Sequence, residues 1–295
     1  MKGARFMPQH VVNWAPRRNF APRRDHREHV PSFMRVYSWN INGLRAVLKK
    51  GFLDWLERSG GDVVALQETR CREDQIPSEI AELGGWHFAL SAAEKAGYSG
   101  VGNLSRRKAE WQESSLGVDE FDREGRILFQ RHGRLLIVNG YFPNGSGKER
   151  DNSRVPYKLD FYRHLFDLLE PQRRRGEPIL VLGDFNTAHR DIDLARPKEN
   201  RETSGFLPEE TAELDRWLQS GWTDTFRVFE PGGGFYTWWS QRFGVRAKNI
   251  GWRIDMVLAS PGVLPHLRGA AIHADISGSD HCPISVDLDD TILGP

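Results

Sequence analysis

From Met34 to about residue 290 the chain alternates short runs of Val, Ile, Leu and aromatic residues with segments whose apolar positions recur every three or four residues. The first pattern predicts β-strands over 35–39, 62–67, 86–90, 126–130, 135–141, 179–182, 253–259 and 284–288. The second predicts helices carrying Phe52, Leu53, Trp55 and Leu56; Leu159, Tyr162, Leu165, Phe166 and Leu169; and Leu214, Trp217 and Leu218. The last of these opens with Leu207-Pro208-Glu209-Glu210, a proline that fits a first helical turn and two acids that its exposed N–H groups attract. Connections are mostly short and no internal repeat appears, so residues 34–290 read as one α/β domain with a tail at 291–295. Residues 1–33 hold Pro8, Pro16, Pro22 and Pro31 and show no sustained period, which predicts a flexible arm.

Composition narrows the class. Apolar runs such as PILVLG at 178–183 fall far short of the roughly 20 residues of a membrane span, so no membrane association is expected. Cys71 and Cys282 alone make neither a disulfide framework nor a Cys-based zinc site, and a reducing compartment, the cytoplasm, is expected. The net charge of +1 hides an asymmetry: the arm has seven basic residues against two acidic ones, +5, which leaves −4 on the remainder. A basic arm adds sequence-independent attraction to phosphates, and an incidental extension before Met34 fits the same letters.

The polar residues at strand ends change the picture most. Asn40 and Asn42 follow VYSW, Glu68 follows VVALQ, Tyr141 and Asn144 end LLIVNGYFPN, Asp184 and Asn186 follow ILVLG, Asp255 lies in WRIDMVL, and Asp280-His281 precede PISV. Singly, each is an ordinary turn former, cap or packed side chain. Together, carboxylates, amides and one histidine at sheet ends compose a site for a hard cation, Mg²⁺ or Mn²⁺ rather than zinc. Phosphoryl transfer suits such a set. No GxxxxGK[ST] loop and no G-x-S-x-G elbow occurs, which argues against a P-loop hydrolase and a serine hydrolase.

The strings WNINGLRA (39–46), LQET (66–69), NGYFPNG (139–145), GDFNTAHRDIDLARPKEN (183–200), SGFLPEE (204–210), YTWWSQRFGVRAKNIGWRID (236–255) and GSDHCPI (278–284), in this order, resemble the exonuclease III family of AP endonucleases. The resemblance implies a four-layer α/β sandwich of two mixed β-sheets flanked by helices. It implies Mg²⁺-dependent cleavage 5′ to an abasic site in duplex DNA, leaving a 3′-hydroxyl, with trimming of 3′-blocked ends, by a monomer. It makes Glu68 the principal metal ligand, with Asn40 and Asp280 at the metal or its waters. Asp184 is similar to the residue that activates water, Asn186 to the one that orients it beside the metal, and Tyr141 to a phosphate-contacting tyrosine. His281 resembles a phosphate-binding histidine at the metal's edge, supported by Asp255. Trp238, Trp252 and Ile254 match the walls of a pocket for a flipped-out sugar, whereas Trp239 is expected in the core. Arg45 and Asn144 are expected to contact DNA; Arg190, Arg246 and Lys248 read as surface charge.

One departure stands out: after Gly97-Tyr98-Ser99-Gly100-Val101 the family continues with Ala and apolar residues, and Gly102-Asn103 here is expected to weaken a strand near the site. Two rival readings are a relative acting on other phosphodiesters, such as a nonspecific DNase or an inositol or lipid phosphatase, and a binding regulator that has lost the chemistry.

Overall fold

The computed structural model describes residues 33–149, 151–242 and 244–294; the predicted arm lies outside them except for Phe33, which opens the first strand. The strands are β1 (Phe33–Asn40), β2 (Val63–Gln67), β3 (His87–Ser91), β4 (Val101–Ser105), β5 (Trp111–Glu113), β6 (Ile127–His132), β7 (Leu135–Tyr141), β8 (Ile179–Asp184), β9 (Thr223–Asp224), β10 (Asp255–Ala259), β11 (Leu267–Ile272) and β12 (Ile284–Asp289). The helices are α1 (Leu44–Leu48), α2 (Phe52–Arg58), α3 (Ser78–Ala81), α4 (Asp119–Asp122), α5 (Val155–Arg174), α6 (Pro208–Gln219) and α7 (Thr225–Phe229).

The strands form two six-stranded sheets, ordered β11-β12-β1-β2-β4-β3 and β5-β6-β7-β8-β10-β9. Each has one parallel pair at its centre, β1 with β2 and β7 with β8, and antiparallel neighbours outside it, so both are mixed as expected. Three apolar layers separate four structural ones. Met34, Val36, Val63, Ala65, Leu135, Ile137, Leu180, Leu182, Val257 and Val286 meet between the sheets. Tyr37, Trp39, Val64 and Leu66 pack the outer face of the first sheet onto Leu44, Phe52 and Leu56 of α1 and α2. Leu136, Val138 and Val181 pack the second onto Phe161, Leu165, Leu169 and Trp217 of α5 and α6. Strands covered on both faces read as continuous apolar runs, which is why VVALQ and ILVLG lack alternation.

The period of two reveals a gradient in the layer between the sheets. Inward positions run Met34, Val36, Ser38, Asn40 on β1; Val63, Ala65, Gln67 on β2; Leu135, Ile137, Asn139, Tyr141 on β7; and Leu180, Leu182, Asp184 on β8. On antiparallel β10 the same order runs backwards through Ala259, Val257 and Asp255, because Asp255 pairs with Asp184. All five strands therefore turn polar at one end of the sandwich.

Beneath that end lies a buried amide network. Gln67 Nε2 donates to Asn139 Oδ1 (2.7 Å), Asn139 Nδ2 to Asn103 Oδ1 (2.8 Å), and Asn103 Nδ2 to Gln130 Oε1 (2.9 Å). Asn103 does not weaken its strand: β4 is intact with all five residues buried, and the amide spends its hydrogen bonds on the opposite sheet. Gly102 is required beside it, since a side chain there would press on the Phe88 ring of β3.

The segment expected as a tail is packed instead. Residues Asp290–Leu293 form a 3₁₀ turn whose Ile292 is 1% exposed and joins the layer between the sheets. Among the described residues, no helix is long and apolar enough to cross a membrane.

Candidate active site

The polar ends of β1, β2, β7, β8 and β10 and the segment before β12 converge on a cleft of about 510 Å³. It is lined by Asn42, Glu68, Tyr141, Asp184, Asn186, Trp238, Trp252, Ile254, Asp280 and His281, among others. Asn42, Glu68 and Asn186 all take left-handed backbone conformations, with φ of 50°, 53° and 51°, as the chain turns sharply off each strand. Asn tolerates this region; Glu does so at a cost of roughly 1–2 kcal/mol, and such strain concentrates where geometry serves chemistry.

Asn40 lies at the centre. Its Nδ2 donates to Glu68 Oε1 and to Asp184 Oδ2, both at 2.9 Å, while its Oδ1 accepts from the Asn42 amide. Tyr141 Oη donates to the same Glu68 oxygen at 3.0 Å. Arg70 pairs with the other Glu68 oxygen. Burial tends to raise the Glu68 carboxyl, but Arg70 and Asn40 outweigh it and hold the group below the usual range. Asp280 accepts from Asn42 Nδ2 (2.8 Å) and Trp238 Nε1 (3.2 Å). It too is lowered: burial opposes ionisation, and the His281 charge and Asn42 overcome it.

Opposite stands a buried trio. His281 Nδ1 lies 2.8 Å from Asp255 Oδ2, and His281 Nε2 lies 3.9 Å from Asp184 Oδ2. Burial disfavours the imidazolium, but Asp255 and Asp184 more than compensate and push the histidine up to about 10. Asp184 moves the other way for a carboxyl, raised to about 7 by burial and by Asp255, against the pull of His281 and Asn40. Asp255 Oδ1 is buried with no partner. Asn186 closes the site: its backbone N–H donates to Asp184 Oδ1 (2.8 Å), its Nδ2 to Phe142 O (2.9 Å), and its Oδ1 accepts from exposed Asn144 (3.2 Å).

The donor set fits a hard cation. Asp184, Asp255 and His281 place ligand-capable atoms within 4.8 Å of one another, and Glu68, which shares the Asn40 amide with Asp184, and Asp280 add oxygens to the same cleft.

Residues 37–281 match the Endonuclease/Exonuclease/phosphatase family. The chain belongs to this family. A relative from Danio rerio, the DNA repair nuclease APEX1, is 37% identical over 259 residues, spanning 86% of this chain and 82% of that one. The exodeoxyribonuclease of Bacillus subtilis is 36% identical over 256 residues, 86% of this chain and 98% of the relative. Among solved structures, the 3′ phosphatase NExo from Neisseria bound to a product DNA hairpin superimposes with a TM-score of 0.80 at 26% identity, covering 87% of this chain and 99% of that one.

Within this family member the aromatic residues separate by burial. Trp238 and Trp252, half-buried, and Ile254 line the cleft and pack with Ala188, Leu194 and Phe206. Trp239 is 3% exposed, donates to Asn249 and lies under the Arg246 guanidinium. Arg246 spends its donors on the carbonyls of Ser279, Ala274 and Ile276, fixing the loop before Asp280. Arg45, on α1, and Arg190 and Lys248 are exposed. Cys282, next to His281, is fully buried, and burial pushes its thiol well up, so it is no reactive thiolate.

Two contributors escape a reading of the sequence. Arg70, two residues after Glu68, carries a signal only in hindsight of the turn that folds it back. Arg126 is buried, donates to the Tyr141 carbonyl (3.0 Å) and to Tyr98 Oη (2.9 Å), and places its guanidinium 4.7 Å from the Tyr141 ring centre. An arginine at the start of a predicted strand gives no hint of that stacking.

Proposed function

We propose that this protein is a Mg²⁺-dependent nuclease of DNA base-excision repair. It hydrolyses the phosphodiester 5′ to an abasic site, leaves a 3′-hydroxyl, and trims 3′ ends. The observation that carries this reading is the cleft itself, in which the carboxylates of Glu68, Asp184 and Asp280 and the imidazole of His281 share one space with an apolar wall of Trp238, Trp252 and Ile254. The names of the relatives, a DNA repair nuclease and an exodeoxyribonuclease, and a relative bound to DNA, support it.

Glu68, with Asp280 and Asn40 beside it, would hold the cation, which when bound supplies Lewis-acid polarisation of a phosphoryl oxygen; Mn²⁺ shares the preference for oxygen ligands. Asp184 takes the proton of the attacking water, its raised pKa matching that task near neutral pH. Asn186, fixed against Asp184 and Phe142, orients that water and donates to the developing charge. His281 keeps Nδ1 on Asp255 and leaves Nε2–H to donate to a phosphoryl oxygen. Tyr141 stays a phenol, raised well above its ordinary value by burial and by Glu68, and its one O–H, which donates to Glu68 here, would turn to a phosphoryl oxygen when substrate is bound. The apolar wall suits a sugar with no base attached, and a full nucleotide fills the slot poorly. Arg45 and Asn144, both exposed, contact the flanking backbone.

The test is incision of a duplex carrying one tetrahydrofuran residue, with Mg²⁺ and with EDTA. Metal-dependent cleavage 5′ to the lesion is expected. Its absence, or an equal rate on undamaged duplex or on inositol phosphates, would overturn the reading in favour of another phosphodiesterase.

A further inference from the structure

Lys158 on α5 and Glu210 on α6 play no part in the chemistry above, yet both side chains are 0% exposed and Lys158 Nζ lies 2.6 Å from Glu210 Oε1. Removing two charges from water costs several kcal/mol per ion, and a buried pair returns little of that as net stability. Stability alone is a weak account of this pair, and its other contacts point elsewhere. Lys158 Nζ donates to the backbone carbonyl of Asn186 at 2.7 Å. Glu210 Oε2 accepts from the amides of Gly205 (2.5 Å) and Leu207 (3.0 Å), and Oε1 accepts from Ser204 Oγ (3.0 Å).

The two ends of this strut are both in the cleft. Asn186 sits at φ 51°, a left-handed conformation that asparagine tolerates, and Lys158 bonds the carbonyl that leaves this turn. The carbonyl before it, Phe185 O, accepts from Tyr162 Oη at 2.6 Å, so two residues one turn apart on α5 hold consecutive carbonyls of this turn. At the other end, Ser204 and Gly205 line the cleft across from Trp252. A Cβ on Gly205 would lie 3.3 Å from the Trp252 indole and 3.1 Å from Asn186 O, which shows how closely the three pieces abut.

We infer that Lys158 and Glu210 are positioning residues for the reaction: through one buried ion pair they fix the Asn186 backbone and the 204–207 turn at a set spacing, so that the Asn186 amide and the slot facing Trp252 are held as a unit. The inference rests on the roles proposed above for Asn186 and Trp252. Removing the strut leaves Asn186 present but free to shift. A shift of ~1 Å in such a group costs up to about 100-fold in rate.

The experiment uses the full chain and compares wild type with Lys158→Arg, Lys158→Met and Lys158→Met/Glu210→Gln. The double variant is uncharged at both positions and keeps an acceptor for the Gly205 and Leu207 amides, so it should unfold within a few degrees of wild type. Single-turnover cleavage of the tetrahydrofuran duplex with Mg²⁺ should nevertheless fall by about ten-fold or more, while the Kd for that duplex in EDTA changes by less than about three-fold. Lys158→Arg, which keeps a charged donor, should recover part of the rate that Lys158→Met loses. The side-chain amide signal of Asn186 in a nitrogen-15 spectrum should move or broaden in the double variant. A double variant that cleaves at the wild-type rate with an unmoved Asn186 signal would reduce the pair to core packing and overturn the inference. If wild type itself fails to cut the duplex, the nuclease reading falls, and the Asn186 signal still decides whether the strut positions that residue.

Discussion

Asp184 is pulled in opposite directions, by burial and Asp255 toward the acid and by His281 and Asn40 toward the carboxylate, and its place near pH 7 is the balance. The sign of the pH dependence follows. A base works only when ionised, so the rate rises as pH climbs through about 7, and a bound cation, by favouring the carboxylate, moves this limb lower. His281 donates only while protonated, so the rate falls again as pH passes about 10. Single-turnover rates at saturating Mg²⁺ from pH 5 to pH 9 should trace the rising limb and the plateau beyond it, and a flat acid limb would remove Asp184 from the role of base. Asp184→Asn, of nearly the same shape, should lose about 10²–10⁴-fold in kcat. Trp252 is tested by contrast: Trp252→Ala should lose preference for the abasic duplex over intact duplex by more than it loses DNA affinity, and equal losses would return it to the core. Asp184 and His281 stood out as candidates because they flank apolar runs, whereas their roles and the choice of Trp252 came from the resemblance alone. Arg70 and Arg126 did not stand out, since their contacts arise from a turn and from a neighbouring strand that the sequence does not display.

At the level of elements, the useful signal was the gradient from apolar to polar along inward positions. The runs at β1, β2, β7 and β8 were legible from their apolar content, and α2, α5 and α6 from theirs. β8 extends two residues beyond the expected 182 because Gly183-Asp184, which reads as a turn, stays in register with Gly140-Tyr141 of β7. A side chain at Gly183 would collide with the Gly140 carbonyl, so the glycine permits close strand approach rather than a bend. β5, β9 and β11 were missed, and β4 was expected only through the resemblance; β5 and β9 are three and two residues long, β4 carries Gly102-Asn103 at its middle, and β11, with Gly269-Ala270-Ala271 at its middle, lacks bulk on either face. The expectation for Asn103 failed for a related reason: a polar residue in a strand looks disruptive until the opposite sheet is known to supply Asn139 and Gln130. Asn139→Leu should therefore be costly, because it strands the partners of several buried bonds; a loss of about 1–3 kcal/mol for each unpaired group is expected in urea unfolding. A variant as stable as wild type would show that the network is incidental.

For the whole molecule, charge and chain order matter more than any single bond. The domain beyond the arm is formally negative, since its function requires acids around a cation, and the basic excess resides in the first 33 residues. Deleting residues 1–32, just short of β1, should flatten the dependence of log Kd on log salt by about 0.9 for each phosphate that the arm neutralises; an unchanged slope would make the arm a bystander in DNA binding. The pairing of β1 with β12 has a consequence of a different kind, one of timing. Arg35 bonds Asp287 across 252 positions of sequence, so the domain's first strand waits through nearly all of synthesis for the neighbour that completes its sheet. Asp280 and His281 emerge with that same late segment. A nascent or prematurely terminated chain consequently carries neither a finished sandwich nor the histidine proposed to donate to phosphate, and an activity that breaks DNA is withheld until the last strand is in place.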